Sequence, residues 1–203
     1  MNMKRAALFI PYLLWMLSTA AMADPLVVDF ESLRDREVVT TQFSGVVFSN
    51  TLALTSGFLG GTLNELENPP HSGVTVITDN GGPMSIRFVT PITAFSGFFT
   101  YRVPLIVSAF GEIGNLLGST NSLFSNNQAL SGVLGASPNE LITLRFGAGI
   151  SRVVITGGPS GNSFTLDDLT TTNGVAVIPE PGTLSLLFAG GLAFLLFRLR
   201  SNH

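Results

Sequence analysis

The 203-residue chain contains no cysteine. A disulfide framework, a thiolate zinc site, an iron–sulfur cluster and a cysteine nucleophile are therefore excluded. Packing has to hold the fold, helped at most by an oxygen-ligated ion. Positive charge is scarce as well. Lys4, Arg5, Arg198 and Arg200 sit in the terminal segments, which leaves six arginines and no lysine between Asp24 and Glu180. All thirteen acidic residues fall in that same interval, so its net charge is −7. A surface of this sign repels phosphate backbones, and no nucleic-acid partner is expected. Histidine is limited to His71 and the near-terminal His203, and the single tryptophan is Trp15.

What is present is clearest at the ends. Lys4 and Arg5 precede an apolar stretch, Ala6 to Leu17, interrupted only by Pro11. Ala21-Met22-Ala23 then places small residues at the −3 and −1 positions that signal peptidase requires, so residues 1–23 read as a secretory signal peptide cut before Asp24. The alternative, an uncleaved anchor, fits poorly with so short an apolar run. At the other end, residues 183–197 carry no charge. As a helix they would reach about 22 Å, a short but workable membrane span. Leu184, Leu187, Phe188, Leu192, Phe194, Leu196 and Phe197 would face membrane lipid. Arg198 and Arg200 follow at once and stay cytoplasmic by the positive-inside rule. Both ends then agree on one topology: residues 24–176 form an extracytoplasmic domain, and residues 177–203 anchor it in the inner membrane. Just before the helix, Pro179 and Pro181 fix φ and disfavour helix in the residues preceding them, which keeps that segment extended and open to a protease. A plain stalk linker would contain such prolines too.

Val177-Ile178-Pro179-Glu180-Pro181-Gly182-Thr183, then an apolar helix, then arginines, resembles the PEP-CTERM sorting signal of exopolysaccharide-producing Gram-negative bacteria. The resemblance implies recognition by an exosortase, a membrane-embedded cysteine protease or transpeptidase. It also implies release or transfer of the domain to the cell exterior, in a setting of exopolysaccharide or biofilm. The sorting residues would be Pro179, Glu180 and Pro181. The end Arg198-Leu199-Arg200 is sparser than the usual arginine cluster, and the Leu-Pro-x-Thr-Gly of Gram-positive wall sortases is absent.

Between the ends, short strands are divided by Gly, Asn, Pro and Ser, with no helical periodicity. Expected strands are Leu26–Glu31, Gly45–Ser49, Gly73–Thr78, Met84–Val89, Ala94–Tyr101, Leu105–Phe110, Leu116–Ser122, Leu141–Phe146, Arg152–Thr156 and Ser163–Thr171. Met84, Ile86 and Phe88 alternate with Ser85 and Arg87, as a half-buried strand requires. The expected architecture is all-β: an antiparallel sandwich of jelly-roll type. Asp79-Asn80-Gly81-Gly82 reads as its best hairpin turn, and residues 124–140 as a long loop. The body is also similar to extracellular domains that precede PEP-CTERM tails. Val28-Asp29-Phe30-Glu31, Gly45-Val46-Val47-Phe48, the Asn68–Gly73 segment and the Ser163–Leu169 segment carry that likeness. The first and last are similar to terminal strands of carbohydrate-binding jelly rolls, where such acids often flank a structural calcium.

Candidate chemistry is thin. Asp29 and Glu31, two apart on a strand, would share a face, and Asp167 and Asp168 end a strand that a jelly roll can place beside the first. Glu31 and Asp168, assisted by Asp29 or Asp167, are thus the candidate Ca²⁺ ligands; the competing reading is solvated edge carboxylates that block strand pairing. His71 in Pro-Pro-His-Ser-Gly reads as a turn residue, because an adjacent Ser72 rarely meets it in nucleophile geometry. Glu65, Glu67, Asp79, Glu112 and Glu140 could supply a glycosidase pair, but nothing selects two of them. With Trp15 gone from the mature chain, aromatic platforms for a strong glycan cleft are few. The expectation is a non-enzymatic exported protein, with a carbohydrate-binding module and a secreted hydrolase as alternatives.

Overall fold

The structure, a computed structural model, describes residues 25–173. The expected signal peptide, sorting motif, membrane helix and basic end lie outside the described residues. Nine antiparallel strands run through these residues: β1 (Leu26–Val28), β2 (Val46–Ser49), β3 (Thr51–Thr55), β4 (Thr75–Asp79), β5 (Met84–Tyr101), β6 (Ile106–Phe110), β7 (Leu116–Asn121), β8 (Glu140–Thr156) and β9 (Phe164–Asn173). The one helical element among them is a 3₁₀ turn at Gly57–Leu59. No helix of the described residues is long and apolar enough to cross a membrane.

The strands join in one continuous sheet, ordered β3-β4-β9-β5-β8-β6-β7, with β1 on β9 and β2 on β5. The two long strands, β5 and β8, make it a two-layer structure. In one layer the first half of β5 pairs β2 (Phe48 opposite Ile86) and the second half of β8 (Ile86 opposite Val153), which pairs β6 in turn. In the other, the second half of β5 pairs β9 (Phe99 opposite Leu166), and β9 pairs β4. The expected strands 84–89 and 94–101 are therefore halves of β5, and 141–146 and 152–156 are halves of β8. The bend between the halves has a local cause. Register shifts fall between Arg87 and Ala94, where exposed Pro91 can donate no ladder bond, and Gly149 lies against it at φ +87°.

The alternating residues point as expected. Met84, Ile86 and Phe88 are buried and Arg87 is exposed; Val153 and Ile155 join them, with Phe95, Phe99 and Leu166 of the other layer, in a single core. β3 was not expected, and its polarity explains why. Ala53 faces the core, while the larger Leu52 and Leu54 are half-exposed on the outer side. Two other expectations are corrected. Asp79–Gly82 closes no hairpin: β4 is already flanked by β3 and β9 and has no free edge, so residues 80–83 carry the chain from one layer to the other. Bonds from Asn80 N to Asn50 O (2.8 Å) and from Asn50 Nδ2 to Pro83 O (3.0 Å) hold that crossing. Nor does the first strand reach Glu31. It stops at Val28, and Phe30 takes a left-handed φ of +61°, so Asp29 and Glu31 do not share a strand face. Such a conformation costs about 1–2 kcal/mol. It is offset by burial of the Phe30 ring edge-on to Phe43 and Phe48, with centroids 5.6 and 6.1 Å away.

Candidate functional site

The first and last strands do lie side by side, with Val28 opposite Leu169. That pairing brings Glu31, Asp167 and Asp168 to one place, the Pro69-Pro70-His71-Ser72-Gly73 loop. Asp167 Oδ2 accepts the backbone N–H of His71 (2.7 Å) and of Ser72 (2.9 Å). Asp168 bridges the two side chains, with Oδ2 2.6 Å from His71 Nδ1 and Oδ1 accepting the Ser72 hydroxyl at 2.8 Å. Glu31 Oε1 accepts Val74 N (3.0 Å) and Thr75 N (2.8 Å). In a regular strand two consecutive carboxylates would point to opposite faces. Here a register shift between Ser96 and Phe98, with Asp168 at φ +45°, makes a bulge that lets both reach the same dipeptide. The His71 ring completes the clamp by stacking on Phe98, 3.4 Å away and 7° from parallel. Gly73 is required by contact: at φ +54°, a Cβ there would lie 2.3 Å from the Glu31 carboxyl carbon.

The carboxylates expected to hold calcium converge on the 69–75 segment, where they accept its N–H groups and the Ser72 hydroxyl. Asp29 Oδ1 only caps Glu31 N at 3.2 Å. Among the described residues no three His, Asp or Glu side chains are grouped to hold a metal ion. Main-chain N–H groups and the His71 and Ser72 side chains contact Glu31 Oε1, Asp167 Oδ2 and both oxygens of Asp168. The Ser72 hydroxyl donates its hydrogen bond to Asp168 and not to His71, so the two are not paired as nucleophile and base. Glu65 and Glu140 are similarly committed. Ser56 Oγ and the amides of Phe58 and Gly57 hold Glu65 down to a pKa of about 2. Glu140 accepts from the Tyr101 hydroxyl and from Leu123 N. Burial, reinforced by Glu140, raises that phenol to about 12.

Asp167 gives the clamp a pH signature. Burial pushes its carboxyl up from 3.8 to about 6, overriding the N–H donors that favour the anion. A folded-state pKa above the unfolded one means that the folded chain binds the proton more tightly. Stability contributed by this group is therefore full below about pH 4 and lost as pH rises to about 6. Glu65 works in the opposite sense, losing its contribution as pH falls from 4.5 toward 2. Denaturation measured across pH should give a maximum between about 4 and 5, and Asp167→Asn should remove the decline above it. A profile unchanged by D167N would contradict this assignment.

A second locus lies on the outer face of the β3-β4-β9 layer. Leu52 and Leu54 of β3, Thr78 of β4 and Thr165 of β9 form the floor of a cleft of about 350 Å³. Arg36 and Arg102 stand at its walls, with Asn64, Asn68, Gln128 and Asn162, and no Asp or Glu lines it. Motif reasoning did not find this site. Its arginines lie far apart in the chain, and the leucines that mark it face away from the core.

No curated protein matches the sequence. Among solved structures, a cleaved adhesin domain of Lys-gingipain is 16% identical over 73% of this chain and 99% of its own, with a TM-score of 0.49. Another cleaved adhesin domain of Lys-gingipain, from Porphyromonas gingivalis, is 9% identical over 75% and 99%, with a TM-score of 0.44. A mutant family 29 carbohydrate-binding module is 9% identical over 78% and 99%, with a TM-score of 0.41. At the C-terminus, residues 177–201 match the PEP-CTERM protein-sorting motif, which implies membrane anchoring of the C-terminal segment, an exosortase as processing partner and a place outside the cell.

Proposed function

We propose that the chain is an exported, non-enzymatic protein of the cell surface or extracellular matrix, delivered by its tail and associated there with exopolysaccharide. The observation that carries this reading is the sorting motif at residues 177–201, which follows the nine strands of the described residues. In this reading signal peptidase removes residues 1–23. Residues 183–197 hold the protein in the inner membrane with the domain in the periplasm, and Arg198 and Arg200 fix the orientation. The exosortase then acts at the Pro179-Glu180-Pro181 segment. The absence of catalysis is supported by the site chemistry: His71 and the acids around it are committed to a structural clamp. A carbohydrate-binding module is the second reading, favoured by the amide- and arginine-walled cleft. Deleting the exosortase should shift the protein from the surface and medium to the membrane fraction, and Pro179→Ala with Pro181→Ala should do the same in the wild-type host. Unchanged fractionation in both strains would reject the reading.

A further inference from the structure

We infer that the cleft on the β3-β4-β9 face binds a carboxylate-bearing polysaccharide, with Arg36 and Arg102 holding its carboxylates. The inference deepens the polysaccharide reading above and rests on it for the ligand class, but it does not depend on processing of the tail.

Both arginines are fixed at the backbone, and among the described residues neither head has a carboxylate within ion-pair distance. Arg36 N donates to Ala53 O at 2.8 Å, which pins a turn to β3. Arg102 N donates to Ser163 O at 3.1 Å, and its side chain makes one long bond, Nη2 to Gly161 O at 3.4 Å. The acids beside Arg36 accept hydrogen bonds from other groups, although the Arg36 charge also helps lower the Asp35 carboxyl. Asp35 accepts from Thr55 N, Thr62 N and the Thr62 hydroxyl, and Glu37 accepts from Arg34 N and the Gln42 amide. Among the described residues the one ion pair is His71–Asp168, so neither guanidinium has a carboxylate partner. Two unpaired guanidinium groups walling a cleft without acids, on a domain otherwise dominated by acids, select an anion. Acids more than about 8 Å from the cleft are screened by physiological salt.

The rest of the cleft suits a sugar. Leu52 and Leu54 offer a half-exposed apolar floor to ring C–H groups. Asn68 and Gln128, linked by a 3.1 Å bond, offer amides to hydroxyls. A volume near 350 Å³ lies at the lower end of the range for small-ligand sites and suits one or two pyranose units. No exposed aromatic ring lies among the lining residues, so affinity comes from charge and amide contacts and should be salt-sensitive.

The test is calorimetric titration of the full chain, solubilised in non-ionic detergent, with oligogalacturonate, and with a neutral oligoglucan as control. Binding of the uronate alone is expected. Arg36→Ala with Arg102→Ala should weaken it about tenfold or more, since two charge-assisted contacts are lost. Ionic strength near 1 M, where the Debye length is about 3 Å, should weaken it similarly. Arg145→Ala, an exposed arginine outside the cleft, should leave binding unchanged. Absence of uronate binding, equal binding of the neutral glucan, or an equal loss with R145A would each overturn the inference. An unaltered melting curve for the double variant would show that lost binding is not lost folding. Because the unprocessed chain is titrated, a negative result leaves exosortase sorting standing, and retained anchoring in the cell leaves the cleft standing.

Discussion

Asp79→Ala is expected to lower folding stability by about 3–5 kcal/mol, enough to unfold a marginal domain. Asp79 is fully buried at the end of β4 and has no cationic partner. Its Oδ1 accepts Ser163 N (2.7 Å) and Phe164 N (3.3 Å), and its Oδ2 accepts the Ser163 hydroxyl (2.7 Å). Its own carbonyl takes Asn162 N at 2.7 Å. These bonds start β9 beside β4 and set one wall of the cleft. Alanine strands two buried N–H groups and a hydroxyl. Asp79→Asn should be far milder, about 1 kcal/mol. The amide carbonyl can still accept from both N–H groups, and its NH₂ can donate to Ser163 Oγ, which already accepts Gly158 N at 2.8 Å. Equilibrium denaturation of both variants checks the ordering. A D79N as damaging as D79A would mean that the charge itself is essential.

Asn127 should give the reverse pattern. It is also fully buried, and it serves as a substitute strand partner. β8 begins opposite Phe99, so Tyr101 at the end of β5 has no ladder partner on that side. Asn127 supplies one: Oδ1 accepts Tyr101 N at 2.6 Å, and Asn127 N donates to Tyr101 O at 2.9 Å. Nδ2 donates to Phe99 O (2.9 Å) and Ser137 O (3.0 Å), tying the 122–139 loop to the sheet. Asn127→Ala leaves three backbone groups without partners and should cost about 3 kcal/mol. Asn127→Asp should be no better, because a carboxylate cannot donate to two carbonyls. Limited proteolysis should then cut within residues 122–139 in both variants while wild type resists. Since Gln128 of this loop lines the cleft, N127A should weaken uronate binding as well.

Alternating strands were legible because their periodicity is written by burial. Met84-Ser85-Ile86-Arg87-Phe88 admits one register against a core, and the fold uses it. β3 was illegible because Leu52 and Leu54 face outward to a cleft instead of inward. The Asp79–Gly82 turn misled because glycines at positive φ serve a crossing between layers as well as a hairpin. At the clamp, the meeting of the first and last strands was expected from the likeness to jelly rolls, and the structure has it. What those acids hold was not: a bulge at Asp168 cannot be read locally, and neither can a loop some ninety-six residues earlier in the chain. Asn127 and Arg102 illustrate the same limit. Each draws its role from partners that the topology supplies, and neither belongs to a motif.

The direct test of the central claim is the mass of the mature C-terminus, measured on protein isolated from a host that carries the exosortase. Sorting through Pro179–Pro181 requires that the segment after the motif be lost, so the C-terminal peptide should end upstream of Arg198, and should extend to His203 when the exosortase is deleted. A peptide ending at His203 in both strains would mean a permanent anchor and would contradict the claim.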